Sequence, residues 1–240
     1  MIQITNLTKK FGDLTAVDDM NLAIEDGIIY GLLGPNGAGK STTLKMMTGI
    51  LKPTEGDIVI NGSSIISDSM EAKKQIGYVS DSPDMFLAMK GSEYLAFIAS
   101  TFKMGKQEAQ EKSLSLAEEF DLKDSLNSYI ADYSHGMRQK LFLIGALIHD
   151  PSVFILDEPM TGLDPSSMYK MKEIMRRHAD AGNTVLFSTH VLDVAEKLCD
   201  RIGIINKGQL IFTGTLDELR DRRNEEGSSL EQLFLELTDE

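Results

Sequence analysis

The spacing of apolar residues changes twice along this chain, and the changes divide it into regions. Near the start the apolar positions come in short strand-like runs separated by turns. Met1 to Thr5 alternates, and Met20 to Ile24 alternates again before stopping at Asp26-Gly27, a hairpin-type dipeptide. Ile28 to Leu33 is continuous and apolar, the pattern of a strand buried on both faces. Asp57 to Ile60 ends at the turn Asn61-Gly62, and Gln75 to Val79 reads as a further short strand. Beyond Ser82-Pro83 the pattern becomes helical. Between Gly91 and His149, Tyr94-Leu95-Phe97-Ile98 and Leu114-Leu116-Ala117-Phe120 recur at helical spacing. Strand and helix then alternate: strand Val153 to Leu156, helix Pro165 to Ala181, strand Thr184 to Ser188, helix Val191 to Leu198 and strand Ile202 to Ile205. Gly208 to Gly214 follows as an edge strand, and the tail from Asp217 is charged and mainly helical, with Leu230, Leu233, Phe234 and Leu237 on one face.

Such alternation predicts a mostly parallel sheet covered by helices, with a helical subdomain inserted between its strands. The expected organisation is α/β, one domain over 1–240. Residues 1–82 and 151–216 form the core with an N-terminal antiparallel β subdomain, 83–150 the helical insertion and 217–240 a helical tail. Ligands in such a sheet gather at the carboxyl ends of the strands, where the conspicuous polar residues fall.

The first of these groups is Gly34-Pro35-Asn36-Gly37-Ala38-Gly39-Lys40-Ser41-Thr42, between an apolar strand and a helix running from Lys40 to Gly49. It fits the phosphate-cradling pattern G-x-x-x-x-G-K-[ST] and marks a P-loop NTPase core. Glycines let successive backbone N–H groups point into one concavity, and the helix N-terminus adds positive potential there. Lys40 can reach the β- and γ-phosphates and Ser41 can ligate Mg²⁺, so ATP and Mg²⁺ are the expected cofactors. The second group is Val153-Phe154-Ile155-Leu156-Asp157-Glu158, four apolar residues ending in two carboxylates. Asp157 is placed to orient Mg²⁺ and Glu158 to take a proton from, or orient, an attacking water. His190, just past the strand ending at Ser188, lies on the same edge and can contact the γ-phosphate or hold the water.

Composition narrows the partners. A formal net charge of -13 argues against non-specific nucleic-acid binding. The single cysteine, Cys199, excludes an internal disulfide and reads as a small buried hydrophobe. No apolar run approaches the length that spans a bilayer. The opening hexapeptide has neither a cationic flank nor an apolar core, so no signal peptide is expected.

Five ordered segments carry a family resemblance: Gly34 to Thr42, Tyr133-Ser134-His135-Gly136-Met137-Arg138-Gln139-Lys140, Leu156-Asp157-Glu158-Pro159, Thr161-Gly162-Leu163-Asp164-Pro165 and His190. Together they resemble the ATP-binding subunit of an ABC transporter, over nearly the whole chain. The resemblance implies a head-to-tail dimer, of this chain with itself or a paralogous subunit, sandwiching two ATP molecules. Each site would take Lys40, Asp157, Glu158 and His190 from one chain and Ser134 and Gly136 from the other, with Asp164 linking the two sites. Ser134-His135-Gly136-Met137 is similar to the family's signature loop, usually Ser-Gly-Gly-Gln, and departs from it at His135 and Met137. Phe11 matches the aromatic that stacks on adenine. Asp81 stands where the family carries a glutamine that meets Mg²⁺.

Asp84 to Met89 would then face a transmembrane permease subunit, which would place the chain peripherally on the cytoplasmic face of the cell membrane. The segment Ser229 to Thr238 resembles the ending of exporter-type subunits for drugs, peptides or lipids. Two other readings stay open at this point. One is a soluble ABC-type ATPase acting on ribosome or DNA; the other is a degenerate module that holds ATP with little turnover.

Overall fold

The computed structural model describes residues 1–81, 84–223 and 230–238. The expected boundary at Ser82-Pro83, Ser229 and parts of the tail lie outside the described residues. Two sheets organise the chain. A four-stranded antiparallel sheet is built from β1 (Ile2–Phe11), β2 (Leu14–Ile24), β4 (Glu55–Ile60) and β5 (Ser63–Ser64), in the order β2-β1-β4-β5. The other sheet has six strands: β3 (Ile29–Leu33), β6 (Ile76–Val79), β7 (Val153–Asp157), β8 (Thr184–Thr189), β9 (Arg201–Asn206) and β10 (Gln209–Gly214). Its order is β10-β9-β3-β8-β7-β6, parallel throughout except for β10, which returns antiparallel on β9.

Strands β3, β7 and β8 are buried along their whole length, which is why they read as unbroken apolar runs. Alternate residues serve different cores. Ile29, Phe154, Leu156, Val185 and Phe187 pack on the side of the helical unit. Tyr30, Leu32, Val153, Ile155 and Leu186 pack with α1 (Lys40–Met47) and the antiparallel sheet. A third cluster joins Leu33, Ile202 and Ile204 to Leu230 and Leu233 of the C-terminal helix α9 (Leu230–Thr238), so the tail's apolar face covers the sheet edge. Among the described residues, this is the use the apolar stripe finds.

The helical unit comprises α3 (Gly91–Thr101), α4 (Lys106–Glu119) and α5 (His135–Leu147), inserted between β6 and β7 as the pattern predicts; the short α2 (Ser69–Lys74) precedes β6. Helices α6 (Pro165–Asp180) and α7 (Leu192–Leu198) connect the later strands, and α8 (Leu216–Arg223) leads toward the tail.

Two local expectations need correction. Asp26-Gly27 is no hairpin: β2 and β3 belong to different sheets, and the Gly27 N–H donates to Asn183 O at 3.1 Å. The hairpin lies earlier, where Phe11 pairs with Leu14. Register shifts between Ile4 and Lys10, with Asn6 and Asp19 at positive φ, break the two-residue alternation there and hide the length of β1 and β2.

Candidate active site

The P-loop joins the end of β3 to α1. Gly39 caps that helix at φ +111, and a Cβ there would lie 2.5 Å from Ala16 O, so no other residue fits without displacing backbone. Asn36 and Gly37 are exposed at the tip, while Gly34, Ala38, Gly39 and Lys40 are buried; Ser41 and Thr42 are half-buried in the first turn. Lys40 Nζ folds back over the loop, donating to Gly34 O at 2.8 Å and Pro35 O at 3.2 Å. These are neutral acceptors, which an anionic phosphate oxygen outcompetes.

The ends of β7 and β8 meet this loop. Ser41 Oγ donates to Asp157 Oδ1 at 3.0 Å, and Ser188 Oγ donates to the same oxygen at 2.7 Å. Asp157 is 1% exposed, and its other oxygen, Oδ2, is buried without a hydrogen-bond partner. Burial pushes its carboxyl up from the usual range; the Ser188 and Ser41 hydroxyls pull it back, and the nearby Asp81 charge raises it further. A buried carboxylate oxygen with a hydroxyl and a second carboxylate close by is an oxygen donor set that suits Mg²⁺. The residues therefore fit that ion, and Asp157 and Ser41 are the ones that would hold it. Asp81 is exposed just past β6, accepting from Ser80 Oγ at 3.0 Å.

Glu158 begins the loop after β7 with φ +49, a strained value for a residue with a Cβ. Its N–H donates to Ser188 Oγ at 3.0 Å. One carboxylate oxygen lies 3.7 Å from Lys40 Nζ, and the other 3.0 Å from His190 Nδ1. Lys40, Ser41, Asp157, Glu158 and His190 thus form one constellation at the carboxyl edge of β3, β7 and β8, open to solvent at His190.

The remaining expected residues lie apart. Phe11 is 48% exposed on the β1–β2 hairpin, with Lys9 Nζ 5.0 Å above its ring centre. Ser134 caps α5, accepting from the Met137 N–H at 3.3 Å, and is exposed. Its surface is free to face another molecule, with Gly136 beside it in the first turn. Asp164 caps α6 through the Ser167 N–H at 3.0 Å. Sequence reading missed Ser188, which joins Asp157 to the Glu158 backbone. Its signal was available: parallel strands ending level place Ser188 opposite Asp157. Gln139 was also missed; only tertiary contact shows its partner.

This geometry defines an ATP-binding cassette, and the chain belongs to the ABC transporter family, whose pattern matches residues 17–161. A solved structure described as the ATP-binding subunit of an ABC transporter shares 32% identity, with a TM-score of 0.94 and 99% of both chains covered. A dimeric ATP-binding cassette described as a post-hydrolysis state bound to ADP and Pi has a TM-score of 0.81 at 26% identity, covering 90% of this chain and 99% of that one. Among curated relatives, the "Probable multidrug ABC transporter ATP-binding protein YbhF" of Escherichia coli (strain K12) is 37% identical over 240 residues, 99% of this chain and 41% of the relative. This chain therefore spans less than half the length of that protein.

Proposed function

We propose that this chain binds and hydrolyses ATP to power a membrane ABC transporter, with export of a drug, peptide or lipid the favoured direction. The observation that carries the reading is the constellation of Lys40, Glu158 and His190 beside Ser41 and Asp157. The P-loop N–H groups and Lys40 hold the phosphates. Bound at Asp157 and Ser41, with Asp81 nearby, Mg²⁺ supplies charge neutralisation for phosphoryl transfer. Glu158 accepts a proton from the attacking water, and His190, hydrogen-bonded to that carboxylate, keeps it oriented. Phe11 offers an exposed ring to the adenine.

Half of the reaction chamber is missing from this open edge. Ser134 and Gly136 of a second copy, or of a paralogous subunit, would close it over the γ-phosphate, and Asp164 would lie at the same seam. The dimeric cassette among the similar structures supports this. The permease would dock beside Asp84 to Met89, where Met85 and Phe86 are 49% and 39% exposed. No helix among the described residues is long and apolar enough to cross a membrane, so attachment to the cytoplasmic face would run through that partner. The word multidrug in the relative's name supports export.

The test is Glu158→Gln. It removes the base while keeping the shape, so ATP binding persists, phosphate release falls about 100-fold or more, and the variant elutes as a dimer with MgATP. Wild-type turnover in the variant, or a persistent monomer, refutes the reading.

A further inference from the structure

Glu158 is held from both sides. On its amino side the N–H is fixed by Ser188 Oγ at 3.0 Å. On its carboxyl side comes Pro159, which has no N–H, so its carbonyl is its one polar backbone group. That carbonyl accepts from Gln139 Nε2 at 2.7 Å. Gln139 lies on α5, one turn beyond the Ser134 cap, and is 6% exposed.

The bond comes at a cost. Gln139 Oε1 is buried with no hydrogen-bond partner. An amide whose role was packing alone would leave this acceptor unpaired with nothing to offset it, whereas here its NH₂ end satisfies the buried Pro159 carbonyl. The amide orientation is unambiguous, because a carbonyl can only receive its NH₂ end.

A second contact grips the same loop from the same face of α5, one turn earlier. Gly162 sits at φ +76, and a Cβ placed on it would lie 2.6 Å from His135 Cδ2 and 2.8 Å from Nε2. The His135 ring therefore rests on the loop four residues beyond Glu158. Residues 135 and 139 are i and i+4 on one helix face, and both meet the segment 159–162. Glu158 itself needs this support, because its positive φ is an unfavourable conformation for a side chain of its size.

We infer that Gln139 is a positioning residue for Glu158, holding the Pro159–Met160 peptide, one residue beyond that carboxylate, through the Pro159 carbonyl and so tying its aim to α5. The inference rests on the ATPase reading above, because it needs Glu158 to act on the water. It assigns Gln139 no contact with nucleotide. The amide sets the carboxylate's placement, and a displacement of about 1 Å is enough to slow a reaction severely.

The test is Gln139→Met in the purified chain, which keeps volume and removes the donor. Phosphate release should fall roughly 10- to 100-fold in kcat, with KM for ATP within about twofold of wild type, because binding groups are untouched. In a Glu158→Gln background the same change should leave MgATP-driven dimerisation unaltered, since the group it positions is already gone. Gln139→Ala, which asks for no accommodation of volume, answers the same question should the methionine variant fail to fold. Unchanged kcat in a folded variant overturns the inference. So does a loss of ATP affinity equal to the loss of rate, which marks general distortion. The wild-type and Glu158→Gln pair, measured alongside, shows separately whether the ATPase reading holds.

Discussion

Ser188→Ala removes one oxygen that serves two groups. The Ser188 hydroxyl donates to Asp157 Oδ1 at 2.7 Å and accepts the Glu158 N–H at 3.0 Å, and the residue is 0% exposed. Loss of a donor to a charged acceptor costs about 1.5–3 kcal/mol, and an orphaned buried N–H about 1–3 kcal/mol. The two losses share an atom, so they do not simply add; about 2–4 kcal/mol is the expected total. A chain of this size loses roughly 2–4 °C of melting temperature per kcal/mol, so a drop of roughly 4–16 °C follows from the geometry.

The pH dependence has a definite sign. Burial already raises the Asp157 carboxyl, and the Ser188 hydroxyl is the strongest influence lowering it. Without the hydroxyl, the folded-state value rises further above the unfolded one. The substitution therefore costs most when Asp157 is ionised, above that folded value, and the cost shrinks as pH falls and the carboxyl protonates. Thermal melts of wild type and variant across a pH series measure both effects, and Asp157→Asn in a double-mutant cycle isolates the charge-dependent part. A variant melting within about 1 °C of wild type at neutral pH (about one quarter of the smallest expected shift) would refute the bridging role. A cost that grows toward acid pH would refute the charge argument.

Two further predictions address other residues. His149 stacks on Phe102 with ring centres 3.6 Å apart, its Nε2 faces Ile76 O at 3.2 Å and its Nδ1 is buried without a partner, so burial lowers its pKa from 6.5 to about 4. Its stabilising contribution is complete above 6.5 and is lost as pH falls toward about 4; the loss is at most ~3 kcal/mol before solvent screening reduces it. His149→Phe should flatten that part of the stability profile in urea titrations, and an unchanged slope would rule the residue out. Asp81→Gln removes one of two neighbouring carboxylates, so the Mg²⁺ or Mn²⁺ concentration that half-saturates ATP turnover should rise several-fold, whereas an unchanged metal requirement removes Asp81 from the site.

What the sequence made legible followed from local periodicity. The runs at Ile28–Leu33 and Val153–Leu156 are apolar without alternation because both faces of β3 and β7 are covered. Their burial announced a parallel sheet and the polar residues at its carboxyl edge. The P-loop was readable because its conformation depends on its own glycines. The β1–β2 hairpin was not, because bulges shift the side-chain phase that periodicity relies on.

Contacts between distant parts of the chain stayed hidden for a different reason. Ser188 is an ordinary polar strand residue until β8 is paired with β7, when it lies opposite Asp157. Gln139 reads as one more helix residue until α5 is laid against the loop after Glu158. The strain at Glu158 could not be anticipated from a Glu-Pro dipeptide, which by itself disfavours only the right-handed helical region for the residue before proline. These hidden contacts share one target. Ser188 holds the peptide before the proposed catalytic carboxylate and Gln139 the Pro159–Met160 peptide, one residue beyond it. The motifs supply the proposed reacting groups, and contacts that only the folded chain brings together fix where they point. A substitution at Ser188 or Gln139 can therefore leave every P-loop contact intact and still slow the reaction.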